Sequence, residues 1–354
     1  MPKKTGSPTI RDVARLAGVS ITTISRVLNE PNPPVSAETL ARIQQVISEL
    51  NFVPQSAARS LSTSRKNAIG LLLPRIGWDA YFPPLLRGVE AGAVEFGFDL
   101  LIASRRAEGP SALGPHNTDG VVVFTDSLSD AEIAAWQVRK FPCVLLHRTP
   151  PDGLNIPHVQ YENRDGTRSI INHLIEVHGC RRIAFLRGPL GNEDSAWREL
   201  GYRAALEAHG IAYDPALVVD GNFDESDARL AVEKLIGNHA ARGAADLLPL
   251  SDGSVLNTDF ADAVFAGDDD SAVGVLAALQ NAGRRVPEDI AVVGFDDAPQ
   301  ARFCIPPLTT VRASIDEAGK TATSMLVELI TRGETAPMAL LPTELVIRRS
   351  CGCI

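Results

Sequence analysis

Several short runs of branched apolar residues in this chain end in side chains that could grip a hydroxyl-rich molecule. Thr125 and Asp126 follow Gly-Val-Val-Val-Phe, and His147 and Arg148 follow Cys-Val-Leu-Leu. Arg187, Asp268 and Asp296 close three further runs. Arginine donates hydrogen bonds, a carboxylate accepts them, and histidine or threonine does either, so such a set can hold a polar ligand from several sides. Near the N-terminus, Thr22, Thr23, Ser25 and Arg26 alternate with Ile24, Val27 and Leu28 at helical spacing. That leaves hydroxyls and a guanidinium on one face, groups able to meet phosphates and base edges. Near the C-terminus, Cys351-Gly-Cys353 invites a metal reading, but no second Cys or His pair stands close in sequence. The expectation there is a solvent-facing tail and no metal site. Catalysis finds little support: there is no nucleophile elbow and no metal-ligand spacing, and His147 beside Asp126 reads better as a ligand contact. Gly-Pro-Leu-Gly-Asn at 188–192 could wrap an anion, yet it lacks the lysine of a phosphate loop.

Open parallel sheets bind ligands beyond the carboxyl ends of their strands, so the rim residues need strands beneath them. Apolar runs at 68–73, 99–103, 120–124, 143–147, 182–186, 263–267 and 290–295 supply them. Helical patterns at Leu85–Phe96, Gly166–His178, Trp197–His209, Glu225–Ile236, Ser271–Ala282 and Ile315–Thr331 lie between many of these runs. The alternation predicts parallel sheets covered on both faces, and the length favours two sheets over one. No Gly-x-Gly-x-x-Gly follows the first strand, so no dinucleotide or other cofactor is expected.

The first fifty residues read differently. Thr9 with Asp12 forms a capping-box variant that opens a helix carrying Val13, Leu16 and Ala17, and Gly18 permits a tight turn. Ser20 caps Ile21 to Leu28, and Ser36 caps a third helix with Leu40, Ile43, Ile47 and Leu50 in step. Two helices joined by Ala-Gly-Val-Ser and braced by a third make a helix-turn-helix, whose second helix can lie in a DNA major groove. Residues 55–66 then contain one apolar side chain larger than alanine, too few for a stable isolated helix.

Charge follows the same division. The chain has 354 residues and a net charge of −9, but residues 1–66 carry nine basic against four acidic groups. A basic N-terminal piece on an acidic body is the asymmetry expected when one segment touches phosphates. No run approaches the roughly 18 apolar residues of a membrane helix, and the N-terminus lacks the apolar core of a secretory signal. Five scattered cysteines, an odd number, read as reduced thiols in a cytoplasmic protein.

The stretch from Thr9 through Ala17-Gly18-Val19-Ser20, Thr23-Ile24-Ser25-Arg26-Val27-Leu28-Asn29 and Leu50-Asn51-Phe52-Val53-Pro54 to Leu61 resembles the N-terminal domain of the lactose-repressor (LacI/GalR) family of transcription regulators. The resemblance implies a helix-turn-helix domain at 1–53, a hinge helix at 54–66, and an α/β periplasmic-binding-protein-like core at 67–354 with parallel sheets. One lobe would span about 67–163 and 312–340, the other about 164–311 and 341–354, joined by three crossovers. It assigns Ile21, Thr22 and Arg26 to base edges, and Thr23, Ser25 and Asn29 to phosphates. Thr9 and Ser20 would stand beside them on the DNA face. In the hinge, Ala58 and Leu61 would wedge the minor groove, with Gln55 and Arg59 at the backbone. In the core, Asp-Ser-Ala-Trp-Arg places Arg198, and Val-Val-Gly-Phe-Asp places Asp296, against an effector. Tyr81, Phe82 and Phe223 occupy aromatic positions, His147 replaces the usual strand-end Asp before Arg148, and Asp268 stands where relatives carry Asn. Asp126 completes the candidate effector set.

The implied function is a DNA-binding regulator, a repressor, acting as a homodimer on palindromic duplex operator DNA under a small polar effector, a sugar or sugar derivative. The competing readings are a solute-binding transport protein, an enzyme on a two-lobed body, or a regulator sensing a nucleobase or phosphorylated metabolite. Residues 104–118 are short and Pro/Gly-rich where the family has a helix, and 237–262 are longer than the usual connection.

Overall fold

The computed structural model describes residues 8–29, 32–52, 65–75, 77, 79–107, 109–243 and 260–354. The chain divides into two compact units, Met1–Asn67 and Ala68–Ile354.

In the first unit, Thr9 opens α1 (Ile10–Ala17) with a closed capping box: its hydroxyl accepts the Asp12 amide, and the Asp12 carboxylate accepts the Thr9 amide at 3.0 Å. Gly18 adopts a left-handed φ of 64° that turns the chain. The Ser20 hydroxyl accepts the Thr23 amide at 3.1 Å and starts α2 (Ile21–Asn29). Ser36 does the same through Thr39 for α3 (Ala37–Glu49). Val13, Ala14, Ala17, Ile24, Ile43, Val46 and Phe52 close a small core. Leu16, expected to face inward, is instead 50% exposed. Helix α1 turns its Ala14 side into the core, where a small residue lets the neighbouring helices approach.

The second unit holds two six-stranded sheets. The first sheet contains β1 (Ala68–Leu73), β2 (Asp99–Ser104), β3 (Gly120–Phe124), β4 (Cys143–Leu146), β5 (His158–Tyr161) and β11 (Met338–Leu341). Its order is β11-β5-β4-β3-β1-β2, parallel throughout. The second comprises β6 (Ile183–Arg187), β7 (Val218–Asp220), β8 (Ala263–Ala266), β9 (Ala291–Asp296), β10 (Thr309–Ala313) and β12 (Thr343–Val346). Its order is β12-β10-β9-β8-β6-β7, and β12 alone runs antiparallel. Helices α4 (Phe82–Glu95), α5 (Asp130–Val138) and α10 (Ile315–Arg332) belong to the first lobe. Helices α6 (Asn163–His178), α7 (Glu193–Ala208), α8 (Glu225–Gly243) and α9 (Asp269–Asn281) belong to the second.

The backbone passes between lobes after β5, after β10 and after β11. Central strands such as β3, β4 and β8 are apolar on both faces, as sheets covered twice require. Among the described residues of 104–118 there is no helix. Asn117 braces that segment instead, its amide donating to the Ala112 carbonyl at 2.9 Å, and Leu113 plugs the core against Gly70. Most of the long connection before β8 lies outside the described residues.

Candidate functional sites

On the first unit, Ile24 is fully buried while Ile21, Thr22 and Arg26 on the other side of α2 are exposed, Ile21 at 46%. The helix therefore carries an apolar side chain, a hydroxyl with a methyl and a guanidinium outward within two turns. Thr23 and Ser25 are half-buried beside them, and the Thr23 hydroxyl lies 2.9 Å from Ser20 Oγ. Thr9 and Ser20 are occupied as helix caps. The side chain of Asn29, and Gln55, Ala58, Arg59 and Leu61 of the expected hinge, lie outside the described residues.

On the second unit, strand ends and helix starts from both lobes converge. Tyr81, just before α4, places its hydroxyl 2.6 Å from His147 Nε2 and 3.3 Å from the Tyr161 hydroxyl. His147 Nδ1 faces Asp194 Oδ2 in the first turn of α7 at 3.1 Å, although out of line for a hydrogen bond. Asn163, at the start of α6, donates to Asp194 at 2.8 Å and accepts Arg198 Nε at 2.9 Å. Arg198, 3% exposed, also donates to the Gly267 carbonyl and lies 3.3 Å from Asp296 Oδ1. Its guanidinium stacks 3.8 Å above the Phe295 ring and 5.4 Å from Phe223. Glu193 and Asp270 tie the lobes together: Glu193 accepts the Thr149 amide at 2.7 Å and Gln160 Nε2 at 2.8 Å, and Asp270 accepts the Ala80 amide at 3.2 Å.

Local backbone aims these groups. Thr125, His147, Phe223 and Asp296 adopt φ of 45°, 60°, 54° and 109°, left-handed conformations that cost energy in non-glycine residues and concentrate at functional positions. Gly188 is needed for Phe223, because a Cβ there would fall 2.2 Å from the ring.

The cleft is lined by buried carboxyl groups. Burial, with Asp268, Asp194 and Asp270 nearby, pushes Asp296 up to about 8 against the pull of Arg198. Burial likewise lifts Asp270 to about 7 and raises Asp268 and Asp269. Burial opposes ionisation of Asp194 too, but His147, Arg198 and Asn163 hold it below the usual range. Burial raises Tyr81 and Tyr161 well above theirs, so both remain neutral hydroxyls. The result is a ring of donors and acceptors with aromatic faces beside them.

Not every sequence-derived candidate joins this ring. Asp126 is exposed and accepts from the Thr125 hydroxyl, so the pairing considered for His147 is made by Asp194 instead. Arg148 bonds the Leu128 carbonyl and Asp130. Phe82 is buried in the core against Phe124, with ring centres 5.8 Å apart. Arg187 pairs with Asp220 at 2.5 Å. Asp268 caps α9 through the Ser271 amide at 3.0 Å. Sequence reasoning missed Asn163, Tyr161, Asp194 and Glu193. Their available signal was position: three occupy helix starts, and Tyr161 closes a strand too short and polar to stand out.

The C-terminal tail departs from its expectation in one respect, since its first cysteine does not face solvent. Cys351 is 2% exposed, Cys353 is half-buried, and His173 and His178 of α6 close on them. The missing second pair came from a helix far upstream.

Residues 9–55 match the model of bacterial regulatory proteins, lacI family, and residues 171–351 match a periplasmic binding protein-like domain. The chain is 34% identical over 352 residues to the ribose operon repressor of Halalkalibacterium halodurans, covering 97% of this chain and 96% of that one. It is similar to the solved complex of the transcriptional regulator CelR with cellobiose, with 30% identity, TM-score 0.67 and coverage of 97% and 99%. It is also similar to the lac repressor dimer bound to operator and the anti-inducer ONPF, with 25% identity, TM-score 0.79 and coverage of 98% and 99%. By this full-length likeness to a repressor and by both of its matched segments, the chain belongs to the LacI family of bacterial regulatory proteins.

Proposed function

We propose that the protein is a cytoplasmic, non-enzymatic repressor that binds palindromic duplex DNA as a homodimer and responds to a small neutral polyol, a sugar or sugar derivative. The observation that carries the DNA half is the exposure of Ile21, Thr22 and Arg26 on a helix whose opposite side is sealed by Ile24. Arginine can fork onto guanine, and threonine offers a methyl to thymine and a hydroxyl to either partner. Thr23, Ser25 and Asn29 would set that helix on phosphates, and Leu61 would wedge the minor groove. One such module reads a half-site, so a two-fold pair matches a palindrome.

The effector half is supported by the amphoteric ring around Arg198, His147 and Asp296. Hydroxyl groups can donate to its carboxylates and accept from its arginine, while Phe223 offers a face to ring C–H groups. A phosphorylated ligand would bring negative charge beside the ionised Asp194, into a site whose burial already disfavours charge on Asp268, Asp270 and Asp296, which favours a neutral occupant. The transport-protein reading leaves the helix-turn-helix unit without a use. Of the relatives named above, one is called a ribose operon repressor, and the two solved structures are regulators with cellobiose or with operator and ONPF, which fits the same assignment. The test is selection of bound duplexes from a random library, with and without a panel of sugars, followed by melting of the protein with each sugar. An enriched palindrome whose retention changes with a sugar that also raises the melting temperature is expected. Retention of random duplex alone would reject the assignment.

A further inference from the structure

The four side chains that gather at the carboxyl terminus stand apart from the candidate effector ring and make none of its contacts. His173 and His178 lie on the last turns of α6, and Cys351 and Cys353 flank Gly352. His173 Nε2 and His178 Nε2 are 3.3 Å apart, and Cys353 Sγ lies 3.4 Å from His178 Nε2 and 3.6 Å from His173 Nε2. All four potential ligand atoms fall within 4.8 Å of one another. From ordinary zinc–nitrogen and zinc–sulfur bond lengths, the edges of a tetrahedral site are about 3.3 Å between two nitrogens and about 3.5 Å between nitrogen and sulfur. The three edges formed by Cys353, His173 and His178 match those values. Two imidazole nitrogens and a thiol pointing at one spot make a poor hydrogen-bonding arrangement but a good set of lone pairs.

The surroundings suit a ligand set. Gly352 takes a φ of 107°, and a Cβ there would lie 3.2 Å from His178 Nδ1, so a side chain would crowd the ring that the two cysteines approach. The Thr309 hydroxyl donates to Cys351 Sγ at 3.1 Å, a contact that orients the sulfur. Cys351 and His173 are buried while Cys353 and His178 are half-buried, which provides an entry side. Two thiolates and two imidazoles select a borderline-soft cation, and a closed four-ligand set leaves no open position for catalysis.

We propose that His173, His178, Cys351 and Cys353 form a structural zinc(II) site that clamps the carboxyl terminus onto the end of α6. Binding replaces the two thiol protons, which leave to solvent, and no electron transfer is involved. The clamp closes a very long loop of chain, so it constrains the unfolded state and raises the melting temperature of the holo-protein.

The test uses full-length protein free of any histidine tag, reduced with a phosphine and stripped with a chelator, then titrated with cobalt(II) alone. One equivalent should produce the intense visible ligand-field bands of tetrahedral cobalt together with thiolate-to-cobalt charge transfer in the near ultraviolet. Zinc(II) should displace it and raise the melting temperature by several degrees. Cys353→Ser should lose about half of the charge transfer, and His178→Ala should weaken binding at least tenfold, both with unchanged circular dichroism and operator retention. Cys351 is left intact because its buried sulfur also serves the core. Weak octahedral bands, no binding at one equivalent, or identical titrations of wild type, Cys353→Ser and His178→Ala would each overturn the site.

Discussion

The reading helix α2 and the effector cleft solve opposite problems. On α2, the side chains proposed to act point outward from a core of only a few residues, and a single helical repeat decides which ones they are. In the cleft, they point inward and come from the ends of β4, β5 and β9 and the starts of α4, α6, α7 and α9. A surface site needs only a local period, whereas a buried site needs two sheets and three crossovers before any two of its members meet. The consequence is energetic as well as geometric. Losing a group from α2 should change recognition without changing the fold, but losing one from the cleft leaves its buried neighbours without a partner.

That contrast can be broken experimentally. The largest effect is expected from Arg26→Ala, which removes the proposed base contact, worth about 1–3 kcal/mol in each half-site. Operator retention should collapse toward that of random duplex at fixed salt, with melting and effector binding unchanged. A stability loss comparable to a core mutation would erase the distinction. Arg198→Ala should come next. It deprives Asn163, the Gly267 carbonyl and Asp296 of their shared donor, each charged hydrogen bond being worth about 1.5–3 kcal/mol. Effector response should disappear while operator binding by the folded protein remains, measured by retention with and without sugar.

The third expectation concerns pH. A carboxyl group raised on folding holds its proton more tightly in the native state, so stability falls as pH rises from the ordinary carboxylate range to about 8 and then levels. Melting of Asp296→Asn should lose part of that slope, and Asp270, lifted to about 7, should supply some of the remainder. Parallel melting curves for variant and wild type would mean that Asp296 is ionised in both states. Gly188→Ala is smaller again: its new Cβ displaces the Phe223 ring, and sugar affinity, followed by calorimetry, should fall several-fold with little change in melting. Smallest is Thr9→Ala, which opens the capping box of α1 at about 1 kcal/mol and should lower only the melting of the helical unit.

The helical unit was close to fully legible. Thr9, Gly18, Ser20 and Ser36 act as the local rules for caps and turns require. Leu16 was the exception, since period alone does not say on which side of Val13 the inward stripe is centred. In the core unit, long apolar strands such as β1 and β3 were read directly, but β5, β7, β10, β11 and β12 were not. Those strands are short, carry polar residues, or lie at sheet edges and crossovers, where pairing rather than hydropathy makes them strands. Helix α5 was missed although Ser129 and Glu132 form a full capping box before it.

Sequence by itself determined what each segment prefers to be, and therefore the outward face of α2, the alternating elements and the rim positions His147 and Asp296, while Arg198 came from the family resemblance. These rest on interactions spanning a few residues, which the chain order records. Only the tertiary structure decided that His147 faces Asp194, that Asp126 and Arg148 turn elsewhere, and that Cys351 and Cys353 meet His173 and His178. Such meetings join residues far apart in the chain, and their distances are set by sheet order and helix packing, which no local spacing encodes.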